Sequence, residues 1–259
     1  MDMGIRGRKA IVCASNRGLG RACAEALAEE GVDLVINGLD ADRLNKTAED
    51  ISSAWGVSVT PIAADVSSPD GQAALLEACP QPDILVNNNA GPPLKDFREL
   101  SRDDILKGVV QNMVTPIELI QKVVGHMTDQ NFGRIVNITS ASVKMPIVGL
   151  DLSSGARAAL TAFMAGPART IASHNVTVNG LLPGMFDTDR LKGSTSRMAE
   201  LQGLSEEEAA EKRMAGVPAG RFGNPEEFGR TCAFMCSVHA GYLTGQNILL
   251  DGGLFNSSI

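Results

Sequence analysis

Tyrosine occurs once in this chain, at Tyr242, and histidine three times, at His126, His174 and His239. Each histidine falls near the end of an expected helix with no partner pattern around it, so all three read as structural or surface residues. The five cysteines, Cys13, Cys23, Cys79, Cys232 and Cys236, are odd in number and scattered. That excludes a disulfide framework and points to reduced thiols. Cys232 and Cys236 lie four apart on an expected helix and read as two small core residues on one face; a metal would need further ligands nearby. No apolar run approaches the roughly 18 residues of a membrane span. No apolar core follows the charged N-terminus, so no signal peptide is expected and a cytoplasmic location is. Basic residues do not cluster and the net charge is -7, which argues against a nucleic-acid partner.

Apolar residues are plentiful. At 44% of 259 residues they allow a large buried core, and the whole chain, 1–259, is expected to form one domain. Short apolar runs at 9–13, 32–37, 57–63, 83–87, 134–139, 176–181 and 247–250 read as strands. Helical spacing fills the gaps at 18–30, 40–54, 71–78, 102–127, 153–173 and 225–236. Continuous apolar strands alternating with helices indicate an α/β fold: a Rossmann-like, doubly wound parallel sheet of about seven strands with helices on both faces. Ligands then gather at the carboxyl ends of the strands. Residues 185–222 read as a long irregular excursion at that end, where a substrate lid would sit. Its centre, 205–214, should be helical, with Ser205 as N-cap and Glu208 completing a capping box. Pro167 lies inside an expected helix, lacks a backbone donor and should kink it.

The first strand runs into Cys13-Ala14-Ser15-Asn16-Arg17-Gly18-Leu19-Gly20. A tight turn there aims backbone N–H groups at a phosphate, and glycines let a pyrophosphate approach. Further segments join it: Asp65-Val66, Asn87-Asn88-Asn89-Ala90-Gly91, Pro183-Gly184 with Thr188, the stretch 219–227, Leu243-Thr-Gly-Gln246 and Asp251-Gly-Gly253. Together they make the chain resemble the short-chain dehydrogenase/reductase family from about Lys9 to Gly253. The family's Thr-Gly-x-x-x-Gly-x-Gly motif falls on Cys13 to Gly20, with its first two positions changed to Cys13 and Ala14. Read without a gap, Asn88 falls on the asparagine that steadies the central strand, while Asn89 and Ala90 replace Ala and Gly. With one inserted residue, the motif is intact at 88–91. The gapless reading is favoured because the spacing from Asp83 is then normal for the family.

The resemblance implies an NAD(P) site built from Ala14, Asn16, Arg17, Gly18, Leu19, Gly20, Asn37, Asp65, Val66, Asn88, Arg157, Pro183, Gly184 and Thr188. An acidic residue after the second strand would bind the ribose diol of NAD. That position is Gly38, followed by Leu39, whereas Arg17 can meet a 2′-phosphate. The reading therefore favours NADP, with NAD as the alternative.

In the family a serine orients the substrate oxygen, a tyrosine transfers the proton, a lysine four residues later lowers the tyrosine pKa and binds ribose, and an asparagine holds a water. Ser140 and Asn112 fit the serine and the asparagine. Thirteen residues after Ser140 stands Ser153, and four further on stands Arg157. The resemblance thus puts serine and arginine where tyrosine and lysine are expected. The two lie one helical turn apart on one face. Serine is a far weaker acid than tyrosine and needs a base. Arginine stays protonated and relays no proton, but it can clamp ribose or a substrate carboxylate. Asp151, Lys144 and a water held by Ser140, Ser153 and Asn112 are the remaining proton sources, with Asp187 and Asp189 in reach of a substrate.

The reading is an NAD(P)-dependent oxidoreductase of a small carbonyl or alcohol with a nonstandard proton donor. The alternatives are an inactive nucleotide-binding protein and a cofactor-independent lyase or dehalogenase. Halohydrin dehalogenases also carry arginine at the lysine position, but they keep the tyrosine and replace the nucleotide loop. The resemblance further implies a homotetramer or homodimer packed through the helices at 102–127 and 153–173.

Overall fold

The computed structural model describes residues 2–92 and 94–257. Seven strands among them build one sheet: β1 (Lys9–Val12), β2 (Asp33–Gly38), β3 (Val59–Ala63), β4 (Ile84–Asn87), β5 (Gly133–Ile138), β6 (Val176–Pro183) and β7 (Asn247–Leu250). All neighbouring pairs are parallel, in the order β3-β2-β1-β4-β5-β6-β7. The order reverses between β1 and β4, and that junction is where a doubly wound sheet opens a crevice at its carboxyl edge.

The inner strands are almost wholly buried because helices cover both faces. Successive residues of β1 point to opposite sides: Ala10 and Val12 join one core, Ile11 the other. The first core takes its helical side from α1 (Gly18–Glu29), α2 (Ala41–Trp55) and α9 (Pro225–Cys236). The second takes it from α3 (Pro69–Ala78), α5 (Thr115–Asp129) and α6 (Asp151–Thr170). Cys23, Cys232 and Cys236 are fully buried in the first core, in keeping with small core residues. Trp55 ends α2 half-exposed.

Two expectations need correction. Residues 102–127 do not form one uniform helix. α4 (Arg102–Val109) passes through a π turn, Val110–Val114, into α5. Pro116 explains the turn: it has no N–H for the carbonyl of Asn112, four residues back, and its ring crowds that carbonyl. The Thr115 N–H reaches instead to the carbonyl of Val110, five residues back. The excursion at 185–222 is also less irregular than expected. It holds α7 (Asp189–Gln202), capped by Thr188, as well as α8 (Glu206–Ala215), whose Ser205–Glu208 capping box is present.

Arg134 ties the opposite, amino end of the sheet together. Fully buried in β5, it donates to the carbonyls of Ser237 (3.0 Å), Gly133 (2.8 Å) and Asn175 (2.7 Å) and to Asn175 Oδ1 (3.1 Å). The ring of Phe132 lies between this guanidinium, 4.3 Å away, and that of Arg8, 4.0 Å away. Arg134→Met would strand these buried acceptors. It should destabilise the protein by about 3 kcal/mol, seen as a lower urea midpoint at unchanged m-value.

Candidate active site

At the crevice the turn from β1 into α1 is pinned from the β4 side. Asn88 Nδ2 donates to the Ala14 carbonyl at 3.1 Å. Gly20 fits against the same contact: a Cβ there would stand 2.3 Å from the Ala14 oxygen and 2.8 Å from Asn88 Nδ2. Ala14 itself adopts φ +45°, in the left-handed region that favours glycine, the residue expected at this position. Arg17 is the N-cap of α1 and makes no side-chain capping bond, and the first turn carries no acidic residue. The leading N–H groups of α1 therefore face the crevice without a side-chain acceptor, which suits a pyrophosphate. These residues fit a bound dinucleotide.

Asn37 shapes this turn rather than offering a free side chain. Its Oδ1 accepts from Ala14 N at 3.3 Å, and its Nδ2 donates to the carbonyls of Ile62 and Ala64 at 3.0 and 2.9 Å. Its carbonyl accepts from Ser15 N at 2.7 Å. Asn16 packs over Gly38, where a Cβ would come within 2.8 Å of it. Leu19 is partly buried against the first core. Asp65 Oδ1 accepts from Ser67 N at 2.9 Å, while Val66 is buried in the second core. Pro183 ends β6, and Gly184 N donates to the Leu250 carbonyl at 2.7 Å. Thr188 caps α7, and its methyl lies 3.8 Å from where a Cβ on Gly18 would be, so the start of α7 overhangs the dinucleotide turn. Arg17 and Asp189 make an exposed contact there at 3.9 Å, which adds little stability.

Ser153 and Arg157 meet as their spacing implies. Arg157 Nε donates to Ser153 Oγ at 3.2 Å, and Nη1 donates to the Ile138 carbonyl, at the end of β5, at 2.8 Å. Both side chains are buried, at 4% and 8% relative exposure. Burial, assisted by the nearby charge of Arg190, lowers the Arg157 pKa from its ordinary range to about 10. The guanidinium is still cationic at neutral pH. Ser140, two residues beyond Ile138, accepts from Ser142 N at 3.1 Å. Asn112 lies in the π turn, donates to the Gly108 carbonyl at 3.2 Å, and keeps a buried Oδ1 without a partner. Its main-chain carbonyl also lacks the usual helical donor, because residue 116 is proline. The Asn112 Oδ1 is left for water or ligand.

The other proton sources stand apart. Tyr242 is fully exposed and precedes β7, at the amino edge of the sheet. Lys144 is exposed, 5.6 Å above the Phe255 ring. Asp151 is an exposed first-turn residue of α6. Asp187 pairs with Lys192 at 3.3 Å. Two further residues line the same edge: Asn89, which the stretch 87–91 contains without giving it a role, and Arg190, which no motif marks. Asn89 Nδ2 bridges Ser67 Oγ (2.8 Å) and the Gln111 carbonyl (3.2 Å). Arg190, from α7, reaches the Gly91 carbonyl at a long 3.5 Å.

A family model described as Enoyl-(Acyl carrier protein) reductase matches residues 13–255. The chain belongs to the short-chain dehydrogenase/reductase family. The NADPH-dependent reductase BacG of Bacillus subtilis (strain 168) is 32% identical over 255 residues, covering 96% of this chain and 98% of BacG. The 3-oxoacyl-[acyl-carrier-protein] reductase FabG of Aquifex aeolicus (strain VF5) is 32% identical over 259 residues, covering 98% of this chain and all of FabG. L-sorbose reductase from Gluconobacter frateurii, solved with NADPH and L-sorbose, superposes with a TM-score of 0.94 at 27% identity, over 99% of this chain and 100% of that one. By these relationships the protein is an NAD(P)-dependent oxidoreductase of carbonyl and alcohol substrates.

Two expected outcomes follow from the geometry. Gly20→Ala should weaken NADPH binding at least about tenfold, read by nicotinamide fluorescence, because the added methyl must displace the Ala14–Asn88 contact. The second concerns Arg157, whose folded pKa lies below its unfolded value. Its charge therefore costs stability at every pH below about 10, and the cost fades as pH rises from there into the ordinary guanidinium range. At about 1.4 kcal/mol per pH unit the cost is roughly 3 kcal/mol. Arg157→Met should then unfold at the same urea concentration as the parent protein or higher at pH 7, despite losing the bond to Ile138.

Proposed function

We propose that this chain catalyses NADP-dependent hydride transfer to a carbonyl carbon, or from the corresponding alcohol carbon, without a tyrosine acid. The bond from Arg157 to Ser153 carries the reading. A permanent cation fills one lone pair of the serine oxygen, which polarises the hydroxyl and leaves its hydrogen free for a substrate oxygen. Ser140 supplies a second hydroxyl beside the end of β5. The bound nicotinamide supplies the hydride. Arg157 is still protonated at neutral pH, so the proton comes from a water held by the unpartnered Oδ1 of Asn112 together with Ser140 and Ser153, and solvent reprotonates the hydroxide left behind. NADP is favoured because no carboxylate follows β2 at Gly38 and Leu39, and Arg17 stands exposed at the mouth of the turn. BacG is named NADPH-dependent, and the sorbose reductase was solved with NADPH.

The α7–α8 excursion is read as the substrate lid over one nucleotide-binding domain. Association into a dimer or tetramer through α4 and α6 would cover Ile105, Leu106 and Phe163, which are exposed in the single chain.

The test is titration with NADPH and NADH, followed by NADPH oxidation over a panel of ketones. NADPH should bind at least tenfold more tightly than NADH, and turnover should be flat from pH 6 to 9. A buried lysine loses its charge far more readily than arginine. Arg157→Lys should therefore add a fall in rate towards high pH, and identical profiles would remove Arg157 from the reaction. Tight NADPH binding with no oxidation over the panel would replace this reading with a nucleotide-binding protein that does not turn over.

A further inference from the structure

We propose that Arg157 and Arg190 form a two-point subsite for a carboxylate, so that the substrate is an oxo acid or hydroxy acid rather than a neutral ketone or alcohol. This rests on the reading of the site as an oxidoreductase and deepens it by naming the substrate class.

The two arginines come from different elements and are each anchored at one of two adjacent strand ends, β5 and β4. Arg157, in α6, is tied to Ile138 at the end of β5. Arg190, in the first turn of α7, leans on Gly91, in the loop that follows β4. Gly91 clears the space: a Cβ there would come within 2.8 Å of Arg190 Nη2. Neither arginine makes an ion pair with any carboxylate among the described residues, although ten other cationic side chains do. The carboxylates nearest Arg190 in the chain are turned away, Asp187 to Lys192 at 3.3 Å and Asp189 to Arg17 at 3.9 Å. Arg157 is also more than nine-tenths buried, and only two of its donors are used by protein.

Electrostatics supports the geometry. Arg190 lies close enough to depress the Arg157 pKa further, and partial desolvation depresses its own. Two like charges held together without a counterion are unfavourable until an anion joins them. A carboxylate between the two forks would take charge-assisted hydrogen bonds from both. Arg190 sits on the lid excursion, so such a ligand would also tie α7 to the sheet edge.

The experiment uses the full chain saturated with NADPH, titrated calorimetrically with 2-oxobutanoate, 3-oxobutanoate and 4-oxopentanoate, each beside its methyl ester. At least one acid should bind ten times or more tightly than its ester. Arg190→Gln, a change at an exposed residue, should remove that preference while leaving the NADPH affinity within about twofold. Equal binding of acids and esters, no detectable acid binding, or an unchanged preference in Arg190→Gln would each overturn the subsite. The result stands apart from the parent reading. Loss of the subsite alone leaves NADPH oxidation with neutral ketones, whereas loss of the oxidoreductase reading removes oxidation but leaves the calorimetric comparison intact.

Discussion

One hydrogen bond sits where the two halves of the sheet part: Asn88 to the carbonyl of Ala14. The crevice exists because strand order reverses between β1 and β4, and nothing in the ladder itself holds the two following loops together. The Asn88 side chain does so, and the rest of the carboxyl edge is arranged around it. Gly20 has no side chain because that bond occupies the space. Asn37 shapes the same turn from the β2 side, so the turn is fixed on both flanks before any ligand arrives. Preorganisation of this kind lowers the ordering cost of binding a dinucleotide.

The other end of the crevice follows a different logic. Around the dinucleotide turn the side chains of Asn37 and Asn88 are satisfied by the backbone. Around Arg157 such partners are missing: a buried cation has no counterion, and Asn112 keeps a buried acceptor without a partner. Native proteins rarely leave such groups unsatisfied, and where they do the site has work to do. The stabilising interactions lie elsewhere, in the two apolar layers and in the Arg134 clamp at the amino edge.

Much of this was legible from the chain alone. Seven apolar runs gave seven strands, and counting thirteen residues from Ser140 located the Ser153–Arg157 pair. Helical geometry made that contact almost inevitable. What stayed hidden depended on weak local signals or on distant partners. The stretch that becomes α7 contains Gly193, Ser194, Thr195 and Ser196, all poor helix formers, and its inward stripe includes Thr195 between Leu191 and Ala199. Without that helix, Arg190 had no assigned place. Asn37 sits plainly at a strand end, but its saturation by Ala14, Ile62 and Ala64 is a tertiary fact. The π turn was encoded at Pro116, yet the apolar period continues through it and masks the break.

The placement of the few indole and phenol groups has an optical consequence. Trp55 closes a fifteen-residue helix that starts just after the carboxyl end of β2. At about 1.5 Å per residue, that sets the indole roughly 20 Å from the edge where ligands bind. Tyr242 lies at the amino edge as well. The carboxyl edge of the sheet is therefore nearly dark in ultraviolet emission. Light from a reduced nicotinamide would arise there without an adjacent protein fluorophore, and a change in tryptophan emission would report on the far side of the sheet.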